Sequence, residues 1–287
     1  MTITQALAGA AEMLRAAGVP SPEADAERLL RHALGWDRAR LLAEGRASLP
    51  APEAGAFEAL LAERARRRPL QHLVGTQAFW KHDFLVTPDV LIPRPETELI
   101  VEEALRALAG RDRPLLVDVG TGSGCIALSL AAELPGAVVH AVDLSAAALA
   151  VARSNARRLG LEGRVHFHEG DLLDPVLAAR PAEACIDLVV SNPPYVDPAD
   201  RPSLAPEVRD HEPALALFPP GPDVYRLYER LAAQAFGSLS EDGALIVEVG
   251  MGMEPEVRRR VGRAGFQAIE GRRDLQGIPR ILIARRA

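Results

Sequence analysis

From residue 114 onward, short apolar runs alternate with helical stretches, and this alternation constrains the fold more than any other feature of the chain. Leu115–Val119, Ala137–Val142, Val165–His168, Ile186–Ser191 and Ala244–Val249 read as strands, and later runs at 266–270 and 280–284 can close the sheet. Strand, helix and parallel strand in succession predict an α/β, doubly wound sheet. Ligands of such sheets sit beyond the carboxyl ends of the strands. Those ends here carry Gly120-Thr-Gly-Ser-Gly124, Asp143, Glu169-Gly-Asp171 and Asn192-Pro-Pro-Tyr195.

The first part of the chain has a different period. Ile3, Leu7, Ala10, Ala11 and Leu14 recur at helical spacing behind a Thr2 or Thr4 cap. Ser21-Pro22-Glu23 joins a cap, a proline at the first helical position and an acid in the first turn, and Gly35 stops that helix. Asp37 opens a short helix over 38–44, and a longer one follows Pro52. Residues 70–90 then gather β-formers around a polar Lys81-His82-Asp83 turn, which predicts a hairpin. The expected organisation is a helical domain over 1–69, a hairpin linker over 70–90 and a larger α/β domain over 91–287. A length of 287 residues fits two domains at roughly 150 residues each.

Composition mostly excludes. The net charge is −6, from 33 basic and 39 acidic residues, so nothing global points to nucleic acid. Two cysteines, Cys125 and Cys185, make neither a disulfide framework nor a cysteine-only zinc site. No apolar run reaches the about 18 residues of a membrane span, and the start lacks a basic signal-peptide region. A cytoplasmic protein without membrane contact is expected. Lys81 is the only lysine, so no other lysine is available for chemistry.

Val117-Asp-Val-Gly-Thr-Gly-Ser-Gly124 is a strand entering a glycine turn and then a helix. Glycine allows a tight turn and leaves room for a ligand against the main chain. The dinucleotide fingerprint would want its third small residue at position 125, where cysteine stands, and no Lys-Ser/Thr follows for a phosphate loop. Asp143, at the end of the second strand, is placed to accept from both ribose hydroxyls, and Asp171, after the third, to accept from an adenine amino group. Together they suit an adenosine ligand without a pyrophosphate. The alternative is that both aspartates merely cap the next helix.

Ser191-Asn-Pro-Pro-Tyr195 follows the fourth strand. Two prolines stiffen the turn and remove two N–H donors, so nearby carbonyls remain free to accept. Asn192 adds a side-chain acceptor and Tyr195 an apolar face. An NH2 group can donate to Asn192 and to the Pro193 carbonyl together, which aims its lone pair out of the amide plane. A plain proline turn is the alternative.

With these residues the chain resembles class I S-adenosylmethionine-dependent methyltransferases carrying an Asn-Pro-Pro-Tyr motif, and more closely the release-factor glutamine methyltransferases (the PrmC/HemK family). The resemblance spans nearly the whole chain. It includes Arg67-Arg68-Pro69-Leu70-Gln71, Val90-Leu-Ile-Pro-Arg-Pro-Glu-Thr-Glu98, Asp118 to Gly124, Ala141-Val-Asp143 and Ser191 to Tyr195. It continues through Glu212-Pro213, Ala216-Leu217, Glu248-Val-Gly250 and Asp274 with Gly277 and Arg280.

The resemblance implies methyl transfer from S-adenosylmethionine, leaving S-adenosylhomocysteine, to the side-chain amide nitrogen (N5) of the glutamine in the Gly-Gly-Gln loop of class 1 peptide chain release factors. It also implies a seven-stranded Rossmann-like sheet with the last strand antiparallel, and a helical domain that helps hold the release factor. Gly120, Thr121, Gly122, Ser123, Gly124 and Asp143 would bind the cofactor, with Asp171 and Leu172 beside adenine. Leu172 lacks the aromatic ring that some relatives carry there. Asn192, Pro193, Pro194 and Tyr195 would hold the glutamine, with Asn192, Pro193 and Tyr195 serving the transfer and Asn192 also bordering the cofactor. No metal, general base or direct nucleic-acid contact is implied, and a monomer is expected. The stretch 219–223 departs from the family's glycine-rich pattern.

Other readings stay open beside this one. Asn-Pro-Pro-Tyr also serves methylation of an adenine or another amine in nucleic acid, although the chain has no basic stripe. A sister subgroup methylates a ribosomal-protein glutamine. A non-catalytic module that docks the release factor is the alternative of another class. Pro93–Glu98 either borders the cofactor or caps a helix, and Phe79 and Trp80 either line a pocket or fill the hairpin core. The arginines of 64–68 are expected to form a solvated face or to meet an acidic partner. His166 and His168 are read as ordinary strand residues, and Cys125 and Cys185 as buried thiols.

Overall fold

A computed structural model describes residues 1–179 and 185–286. The chain divides into two compact units, Met1–Thr76 with Leu204–His211, and Gln77–Ser203 with Glu212–Ala287.

The first unit is helical. Helix α1 (Ile3–Ala16) begins in a reciprocal cap, in which the Thr2 hydroxyl accepts from the Gln5 amide and the Gln5 side chain accepts from the Thr2 amide. Helix α2 (Pro22–Leu34) starts on proline and stops at Gly35, which adopts the left-handed conformation at φ 63°. Helix α3 (Arg38–Ala43) is capped by Asp37, and α4 (Ala51–Ala65) and α5 (Leu70–Val74) follow. Ile3, Leu14, Leu29, Leu30, Phe57 and Leu61 form one buried core.

A short helix, Pro206–His211, also belongs to this unit. Its Glu207 carboxylate takes a paired contact from Arg67 at 2.7 Å and another from Arg64 at 2.9 Å, while Arg64 also meets Asp25 at 2.7 Å. Arg64 is buried, which corrects the expectation of a solvated face at that position, whereas Arg66 is exposed. The partner stands 143 residues away, beyond the reach of any local pattern. Arg66 and Arg68 pair with Glu63 instead.

From Gln77 the second unit holds nearly all of a hairpin of β1 (Thr76–Phe79) and β2 (His82–Leu85), turning at Trp80 and Lys81 rather than at 81–83. Trp80 takes a left-handed φ of 55°. Two carboxylates hold it there: its amide donates to Glu98 at 2.7 Å and its indole N–H to Glu133 at 2.8 Å. A tight turn at Pro95–Thr97 leads into α6 (Glu98–Ala107).

Strands and helices then alternate as β3 (Leu115–Val119), α7 (Cys125–Glu133), β4 (Val138–Asp143), α8 (Ala146–Arg158), β5 (Val165–Glu169), α9 (Asp174–Ala179) and β6 (Ile186–Ser191). After two short helical turns in this unit come α10 (Arg226–Ser238), β7 (Leu239–Glu248), α11 (Glu254–Arg263), β8 (Ala268–Arg273) and β9 (Pro279–Arg285). The seven-stranded sheet runs β5-β4-β3-β6-β7-β9-β8, parallel except where β9 pairs antiparallel with β7 and β8.

Successive residues of the central strands serve opposite faces. Leu116, Leu188, Val190 and Ile246 pack with Ile100 and Leu128, whereas Val117, Val189, Leu245 and Val247 pack with Tyr228 and Leu231. Among the described residues no helix is long and apolar enough to cross a membrane.

Candidate active site

The strand order reverses at β3, whose neighbours β4 and β6 carry the chain to opposite sides, and a crevice opens above such a point. Val119 pairs in register with Ser191, so the glycine turn after β3 and Asn192 after β6 emerge side by side. The Ser191 hydroxyl donates to the Val119 carbonyl at 2.7 Å and ties the two strand ends together. The amides of Gly120 and Thr121 both donate to the Val142 carbonyl, which sets Asp143 against the same turn.

These ends border an open cleft of about 1300 Å³ of empty space, its mouth included. Gly120, Thr121, Gly122, Ser123, Asp143, Asp171, Leu172, Asn192, Pro193 and Pro194 all line it. Gly124 and Tyr195 lie outside the lining. Gly124 caps α7 at φ 81°, and the Tyr195 ring packs with the apolar cluster behind the turn. Pro93, Arg94 and Thr97 do reach the cleft, whereas Phe79 and Trp80 pack into the core.

The glycine turn suits a ligand. Gly120 and Gly122 have φ of 73° and 54°, a region costly for other residues, and a Cβ on Gly122 would meet nothing within 4 Å. The Ser123 hydroxyl and the Asp118 Oδ1 are buried without a partner among the described residues. Orphaned oxygens of this kind call for a donor such as an amino group. Burial pushes the Asp118 carboxyl up to about 7, against the Thr121 hydroxyl and the Ala127 amide that donate to its other oxygen.

Asp143 accepts from the Gly122 amide at 2.8 Å on one oxygen and from the Ser145 amide at 2.9 Å on the other, leaving each a further lone pair. Burial raises its pKa above the usual carboxylate range, against those same amides. Arg230 holds Asp171 at 2.6 Å, and both face the cleft. Leu172 sits at a left-handed φ of 49°. Arg94 bridges to the buried Glu212 at 2.6 Å, beside Pro213 and Ala216 of the wall.

A buried polar chain runs behind the proline turn. The Asn192 Nδ2 donates to the Thr97 hydroxyl at 3.1 Å, and Thr97 donates to Glu248 Oε2 at 2.6 Å. The Tyr195 hydroxyl donates to Glu248 Oε1 at 3.2 Å. Burial pushes the Glu248 carboxyl up to about 7, against the Thr97 and Tyr195 hydrogen bonds and the Arg280 charge. Gly250 is tightly enclosed: a Cβ there would stand 2.7 Å from the flexible Met253 sulfur and 3.0 Å from the Tyr195 ring. In the sequence, Thr97, Glu248 and Gly250 stand only as parts of two separate motifs. The signal for their joint role is contact between segments 151 residues apart.

Elsewhere, His140 joins the two strand histidines, its Nδ1 lying 2.8 Å from His168 Nε2. Among the described residues no group of three His, Cys, Asp or Glu could hold a metal ion. Cys125 is buried, which pushes its thiol up to about 12, but Cys185 is exposed, contrary to expectation, because it stands just ahead of β6 rather than within it.

Sheet order, glycine turn and strand-end acids together define a class I methyltransferase. Solved structures show the same fold at low identity. The catalytic domain of hMettl16 in complex with a MAT2A 3'UTR hairpin is 16% identical with a TM-score of 0.56, over 84% of each chain. Human methyltransferase 10 domain containing protein is 15% identical with a TM-score of 0.51, over 70% of this chain and 87% of that one.

Sequence relatives are more specific. Residues 5–75 match the family described as PrmC N-terminal domain, and residues 97–208 the methyltransferase small domain. Proteins named release factor glutamine methyltransferase are 39% identical in Koribacter versatilis, over 100% of this chain and 99% of the relative, and 42% identical in Cereibacter sphaeroides, over 99% of each. The Deinococcus radiodurans protein of that name is 42% identical over 100% of this chain and 99% of its own. The chain belongs to the release factor glutamine methyltransferase family.

Proposed function

We propose that the protein transfers a methyl group from S-adenosylmethionine to the side-chain amide nitrogen of the glutamine in the Gly-Gly-Gln motif of class 1 release factors. One observation carries the reading: a single cleft holds the glycine turn, Asp143 and Asn192-Pro193-Pro194 side by side, in a chain of this family. The donor set fits the cofactor. Asp143 offers lone pairs to ribose hydroxyls, Asp171 and Leu172 border the adenine side, and the unpartnered Ser123 hydroxyl of the lining suits the methionine amino group.

When bound, S-adenosylmethionine supplies a methyl group already activated on a sulfonium. The chain therefore has to position and orient the acceptor. Asn192 Oδ1 and the Pro193 carbonyl accept the two amide hydrogens, turn the nitrogen lone pair out of the amide plane and offset positive charge as it develops there. Tyr195, anchored on Glu248, braces the turn from behind. Nitrogen gains the methyl and gives up one proton to solvent. Since that proton is strongly acidic, no dedicated base is required. Release factors work in the cytoplasm, and a single chain holds the whole cleft.

The test mixes the purified chain with labelled S-adenosylmethionine and a class 1 release factor, beside a Gly-Gly-Ala variant. One methyl on the motif glutamine by peptide mass spectrometry, absent from the variant, is the expected result. Transfer to nucleic acid or to a ribosomal protein instead would overturn it.

A further inference from the structure

We infer that Thr97 and Glu248 are positioning residues for the acceptor side of the cleft: through one buried chain of hydrogen bonds they hold the Asn192 carboxamide with its carbonyl oxygen toward the incoming amide. This rests on the function proposed above and adds two residues to it.

A carboxamide is nearly symmetric in shape, but its two ends are opposite in chemistry. Only the carbonyl end accepts a hydrogen from an NH2 group. If the NH2 end of Asn192 faced the cleft, it would meet another donor and repel the substrate. Something must choose between the two orientations, and the choice follows from counting hydrogens. The Thr97 hydroxyl owns one hydrogen. A carboxylate only accepts, so Glu248, at 2.6 Å, takes that hydrogen. What remains on Thr97 toward Asn192, 3.1 Å away, is a lone pair. Asn192 must therefore present its NH2 end to Thr97 and its oxygen to the cleft that it lines. No described residue donates to that oxygen.

Burial makes the chain decisive. Thr97 is 3% exposed and Glu248 2%, so water does not substitute for either partner. The second Glu248 oxygen anchors the Tyr195 hydroxyl at the far end of the same turn. One carboxylate thus sets both ends of Asn192–Tyr195. Glu248 closes β7 outside the cleft lining, Thr97 borders the cleft at the end of the Pro95–Thr97 turn, and both act on the acceptor through Asn192.

Thr97→Val keeps the shape and removes the acceptor, whereas Thr97→Ser keeps the hydroxyl. Both variants of the full chain are assayed on a release factor, with cofactor affinity measured by calorimetry. Losing the hydrogen bond that orients Asn192, about 1 kcal/mol net, predicts a kcat roughly fivefold lower for Thr97→Val. Cofactor Kd should stay within about twofold, since Ser123 and Asp143 are untouched. Thr97→Ser should recover most of the turnover. Wild-type turnover in Thr97→Val, equal loss in the Ser variant, or a parallel loss of cofactor affinity would each overturn the assignment. Should Thr97→Val not fold, Thr97→Ala takes its place with the same expectations. A wild-type chain that methylates no glutamine would overturn the function itself, and this inference with it, before any variant is compared.

Discussion

Asp143 and Asn192 face the same cleft, and the proposed function gives them different partners, so their substitutions should separate. Asp143→Ala removes acceptors for the ribose and is expected to weaken cofactor binding by about 10- to 100-fold, read by calorimetry. Asn192→Ala should leave that affinity nearly unchanged while cutting kcat by about 10²- to 10³-fold, the scale of losing one preorganised charge-stabilising group. Equal loss of both quantities in either variant would sink the division of labour. Glu248 adds a pH dependence. Its carboxyl, pushed up to about 7 by burial, faces Thr97 and Glu96 from the α6 side, Tyr195 from the proline turn, Arg280 from β9 and Tyr228 from α10. Protonation lets it donate to Thr97 and reverse the hydrogen-bond chain, so kcat should fall below about pH 7. Stability runs the other way. A carboxyl raised in the folded state favours folding below its unfolded pKa and gives up that contribution as pH rises toward 7. In Glu248→Gln the acid limb of the kcat profile should disappear. The placement of Asp143 and Asn192 beside one cleft was legible in the sequence because strand-end motifs are local. The Thr97–Glu248 contact was not, because two short motifs name residues without saying that they meet.

At the level of elements, the turn between β3 and α7 separates space for packing from space for ligand. A Cβ on Gly124 would stand 3.0 Å from a Leu128 methyl and 3.2 Å from Ala152, pressing α7 against α8. Gly124→Ala is therefore expected to cost about 1–3 kcal/mol of stability, combining a φ of 81° with overpacking. A Cβ on Gly122 meets no atom within 4 Å, and Gly122 lines the cleft proposed to hold the cofactor. Gly122→Ala should lose only about 1–2 kcal/mol of stability for its left-handed backbone, but more of its cofactor affinity than Gly124→Ala. Melting curves and calorimetry on the two variants check the contrast, and identical profiles would refute it. The glycine pattern announced the turn, since only glycine tolerates three left-handed positions so close together. The hairpin turn was harder to place. Polar residues at 81–83 suggested it, yet Trp80 makes the bend because Glu98 and Glu133, both remote in sequence, hold it there.

Across the whole molecule, alternation of period revealed a helical segment ahead of an α/β sheet, since burying a helix face and burying a strand leave different spacings. It could not reveal that residues 204–211 leave the sheet unit and join the helices. That return depends on charges, and charges carry no period. Arg64 is buried between Asp25 and Glu207, and Arg67 grips both Glu207 oxygens. Although burial opposes it, the hydrogen bonds from Arg67 and Arg64 hold the Glu207 carboxyl down to about 2. The sign of the linkage follows. A depressed carboxyl stabilises the fold above its unfolded pKa near 4.5, and that contribution is lost as pH falls toward 2. Glu207→Ala should thus cost about 2–3 kcal/mol at neutral pH, less than breaking an isolated buried pair because Arg64 keeps Asp25. The loss is local first, since Pro206–His211 is a short helix with no buried residue of its own. Limited proteolysis should therefore cut faster within 204–211 in Glu207→Ala than in the parent chain. The parent should become equally sensitive as the pH is lowered from 4.5 toward 2. Unchanged cleavage in both experiments would mean that the ion pairs do not hold this segment.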